Sequence, residues 1–94
     1  MDSLGWVLFR RGKFDEARKE LERAAALPGG DDDPVVWDHL GDVYFRLDQP
    51  GRARAAWHKA ITLYEVEKRR TMDYRYKEIK HKLKLLEGEP ETQP

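Results

Sequence analysis

The sequence predicts an all-α fold of antiparallel helix-turn-helix pairs, about five helices in all, and three observations carry that reading. The stretch LGWVLFRRGKFDEARKELERA from Leu4 returns from Leu40 as LGDVYFRLDQPGRARAAWHKA. Gly5 answers Gly41, Phe9 answers Phe45, Arg10 answers Arg46, Ala17 answers Ala53, Ala24 answers Ala60 and Leu27 answers Leu63, all at an offset of 36 residues. Within each copy the apolar residues recur every three or four positions, the period of an amphipathic helix. The composition agrees. Charged residues make up 38% of the chain and apolar ones 39%, a balance that favours exposed helices over a thick core.

The chain's 94 residues make one small domain, near the size at which a single core just suffices. A first helix is predicted over 2–11, stopped at Gly12. The second, over 14–27, carries Phe14, Ala17, Leu21, Ala24 and Ala25 on one face. The segment PGGDDDP then ends it and starts the next: Asp33 before Pro34 is a capping carboxylate followed by a proline in the first turn. Asp31 and Asp32 add favourable charge at that positive helix end. The third helix is predicted over 34–47. Asp48-Gln49-Pro50-Gly51 breaks the chain, and Pro50 suits a first helical position, where its missing N–H costs nothing. The fourth, over 51–69, carries Ala53, Ala56, Trp57, Ala60, Ile61 and Tyr64. Beyond Tyr64 the repeat fails. Met72, Tyr76, Ile79, Leu83 and Leu86 then mark a fifth helix over 72–87, with Thr71 or Asp73 as its cap. Residues 88–94 are expected to be a disordered tail.

The pattern resembles the tetratricopeptide repeat (TPR), whose period is about 34 residues. Trp37-Asp38-His39-Leu40-Gly41-Asp42-Val43-Tyr44 fits its W-x-x-L-G-x-x-Y opening at every fixed position. The resemblance implies a TPR-like α-solenoid: repeat one at 1–30, repeat two at 34–66, and a capping helix at 72–87, within a single domain at 1–87. Gly5 and Gly41 would let paired helices approach, with Ala17 and Ala53 facing them. Three departures stand out. Asp48 replaces the turn glycine and must take a left-handed conformation, which Asp tolerates better than most. Pro50 stands where the first copy has Phe14. Met1 falls where the family has its first tryptophan-like position.

The same resemblance implies a non-catalytic scaffold or adaptor, in which the first helix of each repeat lines a concave groove for a peptide or partner helix. Position by position, the groove residues are Asp2, Ser3, Trp6, Phe9 and Arg10, then Val35, Asp38, His39, Asp42, Phe45 and Arg46. Asp38, Asp42 and Arg46 are four apart and so form one stripe. Trp6 and Phe45 are the natural anchors, with the charges setting register. A chaperone-type carboxylate clamp is not expected, because Asp2, Trp6, His39 and Asp42 would repel or ignore a carboxylate.

Catalysis and metal binding find little support. His39, His58 and His81 fall on three different predicted helices and no HExxH spacing exists, so no metal or cofactor is expected. The chain has no cysteine, which removes thiolate nucleophiles and the common zinc sites. Net charge is zero and announces neither nucleic acid nor membrane. No apolar run approaches the roughly 18 residues of a membrane helix, and no signal peptide is visible. The compartment stays open, as does whether the chain is a fragment of a longer array. An alternative function rests on 68–84, where eight Lys or Arg face only Asp73 and Glu78, with Tyr74 and Tyr76 interleaved. Such a segment can meet an anionic polymer or membrane surface. Finally, Leu4, Trp6, Val7, Leu8 and Phe9 point all around the first helix. A helix that is apolar all round is buried on more than one side, so either a preceding repeat or a second copy of this chain is expected to cover it, and in isolation a homo-oligomer built around the first helix.

Overall fold

The computed structural model describes residues 4–66 and 71–88. Asp2, Ser3, the predicted end of the fourth helix at 67–69 and most of the predicted tail lie outside the described residues. Five α-helices follow in chain order: α1 (Leu4–Arg10), α2 (Phe14–Ala26), α3 (Pro34–Arg46), α4 (Pro50–Val66) and α5 (Tyr74–Leu86). Each packs against its neighbour in the chain as antiparallel hairpins, so the fold is all-α, as the sequence predicts. A short 3-10 turn over Gly30–Asp32 precedes α3 and was not expected. Its backbone bond runs from Asp33 N to Gly30 O at 3.2 Å, and the Asp33 side chain then caps α3, accepting from Val35 N at 3.0 Å.

The two hairpins α1–α2 and α3–α4 repeat one another in detail. Lys13 N donates to Leu8 O at 2.9 Å, and 36 residues later Gln49 N donates to Tyr44 O at the same distance. Gly12 has φ 81° and Asp48 φ 61°, so the aspartate does take the left-handed turn position. A Cβ on Gly5 would meet Leu21 Cγ at 2.6 Å, and one on Gly41 would meet the Trp57 indole at 2.2 Å. Leu21 and Trp57 are themselves 36 apart. Small residues therefore set the helix spacing in both hairpins, with Ala17 and Ala53 fully buried opposite them.

The core runs through α2, α3, α4 and α5, with Leu21, Leu40, Val43, Tyr64 and Ile79 fully buried. Tyr44 ties the hairpins together, its hydroxyl donating to Glu22 at 2.6 Å. α5 closes α4: Ile79 and Leu83 are buried, and Tyr76 meets Tyr64 edge-on at 5.9 Å. Its cap is Asp73, which accepts from Arg75 N at 3.0 Å. That choice excludes Met72 from the predicted stripe; it stands ahead of the helix, 86% exposed.

Candidate partner-binding groove

The third helix brings Asp38, Asp42, Phe45 and Arg46 onto one stripe, but the stripe is partly covered by α5. Lys82 reaches inward, its Nζ at 2.9 Å from Asp38 Oδ1 and 2.8 Å from Asp42 Oδ1, while lying 5.2 Å from the Trp57 ring. The Asp38 side chain is buried, and its backbone carbonyl accepts from Trp57 Nε1 at 3.3 Å. Two carboxylates thus share one partly buried ammonium. Burial pushes the Asp38 carboxyl up to about 6, with Lys82 opposing that rise and the Asp42 charge adding to it. Asp42 moves the same way, also because of burial. Burial works against the Lys82 charge too, but the two aspartates outweigh it and hold its proton more firmly than usual.

Above this cluster the side chains stay open. Phe9 of α1, Asp42, Phe45 and Arg46 of α3, Trp57 of α4, and Lys82, Leu85 and Leu86 of α5 enclose a cleft of about 480 Å³. Phe45 is 52% exposed and Leu85 is 58% exposed at its mouth. Phe45 leans on Trp57 with ring centroids 6.1 Å apart. Arg46 lies over Phe14 at 5.5 Å and over Phe9 at 6.0 Å. Among the described residues no carboxylate pairs with it. The result is a largely apolar slot with the Arg46 guanidinium at its rim.

The remaining predicted residues are placed as follows. Trp6 stacks between Phe9, at 4.6 Å, and His39, at 3.8 Å, so α1 meets α3 through an aromatic ladder. His39 is buried there. Arg10 is exposed at the end of α1, and Val35 lies in a separate depression beside Tyr64 and Asp73. Asp2 and Ser3 are outside the described residues. Sequence reasoning missed Trp57, Lys82, Leu85 and Leu86. The signal for Lys82 was the Asp38–Asp42 pair itself: two carboxylates one turn apart on an inward stripe require a cation. Within the basic segment Arg75 lies over Tyr74 and Lys80 over Tyr76, while Lys82 turns inward.

No helix among the described residues is long and apolar enough to cross a membrane. A family model of the tetratricopeptide repeat matches residues 1–27. No curated protein and no solved structure matches the chain significantly. The chain therefore carries a tetratricopeptide repeat at 1–27, inside an all-helical fold. That family implies protein partners.

Proposed function

We propose that this protein is a non-catalytic interaction module of two such repeats, the second at 34–66, closed by α5. Its ligand is a segment of another protein docked in the cleft between α1, α3 and α5. The observation that carries the reading is the exposed pair Phe45 and Leu85 over buried Trp57, with Arg46 at the rim of the same cleft. Large apolar groups held open around a concave floor gain most from a partner side chain that excludes water. The guanidinium adds register through a charge-assisted hydrogen bond. The segment that fits presents a large apolar side chain next to an Asp or Glu. Within the predicted groove, Phe9, Phe45 and Arg46 contact the ligand. Asp38 and Asp42 act indirectly, by holding α5 in place through Lys82.

Selection from a phage-displayed library of short random peptides tests this. Enriched peptides should pair an aromatic or aliphatic residue with a neighbouring carboxylate. Phe45→Ala should abolish their binding and Arg46→Glu should weaken it at least about tenfold, a loss of about 1.4 kcal/mol, with helicity unchanged. Failure to enrich any peptide, or binding indifferent to both substitutions, would overturn the reading. Affinity should also persist in salt, since the main contact is apolar, whereas binding of anionic vesicles through 68–84 would fall steeply.

A further inference from the structure

Tyr64 is 2% exposed, and among the described residues its hydroxyl has no hydrogen-bond partner. A hydroxyl so placed has given up its bonds to water and gained none in return. Tyr44 and Tyr76 differ, each donating to a glutamate at 2.6 Å. The surroundings of Tyr64 are acidic. α3 and α5 both pack antiparallel to α4, so their first turns meet the end of α4 that carries this tyrosine. There Tyr64 lines a depression of about 490 Å³ together with Asp32, Asp33, Val35 and Asp73. Burial pushes its phenol up to about 12, the charges of Asp73, Asp38 and Asp33 adding to the rise and Arg75 opposing it. The hydroxyl is therefore neutral and within the field of the carboxylates.

The oxygens on offer narrow the ligand. Asp33 and Asp73 cap α3 and α5, and each commits its Oδ1 to a backbone amide at 3.0 Å, that of Val35 and of Arg75 respectively. Arg75 Nη1 stands 3.6 Å from Asp73 Oδ2, too far for a hydrogen bond, and one guanidinium offsets only one of the three carboxylates in the depression. Carboxylates accept and do not donate, so the group that suits them carries positive charge and N–H donors. Among the described residues no three acidic or histidine side chains converge closely enough to hold a metal ion. A guanidinium binds best as a fork across both oxygens of one carboxylate, and in each cap one oxygen is already engaged. An ammonium instead has three donors for three separate acceptors. Asp33 Oδ2, Asp73 Oδ2 and the Tyr64 hydroxyl are three.

We infer that this depression is a lysine site: the ammonium of a lysine side chain from a protein partner enters between the Asp33 and Asp73 carboxylates and donates to the Tyr64 hydroxyl. The site uses the first turn of α3, whereas the cleft uses Asp42, Phe45 and Arg46 near its other end. The inference does not depend on the cleft.

The probe is the end-blocked peptide Gly-Lys-Gly, titrated into the full chain at constant ionic strength and followed by amide NMR. The amides of Val35 and Arg75, which bond the two caps, should shift together and saturably. The trimethyl-lysine form of the peptide keeps the charge without N–H donors, and the Gly-Arg-Gly peptide replaces the ammonium by a fork. Each should bind at least about tenfold more weakly, the worth of one hydrogen bond to a charged group. Tyr64→Phe keeps the ring contact with Tyr76, and Asp73→Asn keeps a capping side chain; both should weaken the lysine peptide by at least about tenfold. Without peptide, Tyr64→Phe should melt no lower than the parent, because the hydroxyl has no bond to lose. A lower melting temperature would mean that the hydroxyl is already bonded, and would overturn the inference. So would the absence of a saturable shift, an equal response to the trimethylated peptide, or binding indifferent to Tyr64→Phe. Calcium chloride shifting the same amides where the lysine peptide does not would give the site to a divalent cation instead.

Discussion

Gly41 lies directly beneath the indole of Trp57, so close that the methyl group of an alanine there would stand 2.2 Å from the ring. Trp57 is 3% exposed and holds a hydrogen bond to the Asp38 carbonyl, so it cannot swing aside. Gly41→Ala should therefore lower stability in urea unfolding, the overpacking cost of about 1–3 kcal/mol outweighing a helix-propensity gain of up to about 1 kcal/mol. Gly51→Ala, where nothing lies within 4 Å of the added methyl, should instead stabilise by a few tenths to about 1 kcal/mol. Equal effects at the two sites would contradict the close approach of α3 and α4.

Asp38 gives the fold a pH signature. Its folded-state value near 6 lies above the unfolded value of 3.8, so the native protein binds the extra proton between those limits. This contribution is fully present below about pH 4 and disappears as pH rises through 6. Asp38→Asn mimics the protonated form. Stability of the variant relative to the parent should rise by on the order of 1–3 kcal/mol between pH 4 and 7, measured by urea unfolding at each pH. A flat difference would mean that the carboxylate is well solvated.

Removing the shared cation should do the opposite. Lys82→Met leaves Asp38 and Asp42 facing each other without it. Since Lys82 is 28% exposed, a loss of about 2–3 kcal/mol is expected at neutral pH, somewhat below the full cost of breaking a buried pair. The damage should shrink at pH 5, where Asp38 holds its proton. Calorimetry at the two pH values separates this from lost packing, which would not depend on pH.

α5 closes the core. Ile79→Ala should cost about 2–5 kcal/mol, since the side chain is fully buried against α4 and its removal leaves a cavity. A chain ending at Arg70 loses Ile79, Leu83 and Lys82 together. It should melt at a clearly lower temperature or aggregate through Trp57 and Tyr64. Thermal unfolding equal to the parent would show that α5 does not close the core.

Asp48 offers a gain. At φ 61° any side chain carries a steric cost of roughly 1 kcal/mol that glycine avoids. Asp48→Gly should raise the melting temperature, whereas Asp48→Val should lower it. The opposite order would place the residue outside the left-handed region.

The five helices were legible because their signals are local: the Asp33-Pro34 start, the Gly12 and Asp48 turns, and apolar periodicity within each helix. The repeat offset went further and set Gly5 and Gly41 at the helix contacts with Ala17 and Ala53 facing them, while the side chains that stand over the glycines, Leu21 and Trp57, emerge only in the structure. The candidate groove was legible only in part. Phe9, Phe45 and Arg46 line the cleft, but its far wall of Leu85 and Leu86 belongs to α5, which lies outside the repeat. No periodic rule sets the register of a closing helix against α3. The Lys82 bridge spans 44 residues to Asp38 and 40 to Asp42 and depends on that register. Asp38 and Asp42 could be placed on one stripe without showing that their partner came from the same chain.

Because every extensive helix contact joins neighbours in the chain, cooperativity in this molecule should be graded along its length. Loss of α1 costs its packing on α2, the Trp6 stack on His39 and the Phe9 contact with Arg46, while loss of α2, α3 or α4 removes two packing partners at once. Fluctuations that open one end need not melt the other. Amide hydrogens of α3 and α4 should exchange with deuterium only through global unfolding, those of α1 through cheaper local opening, and those of α2 and α5 at intermediate rates.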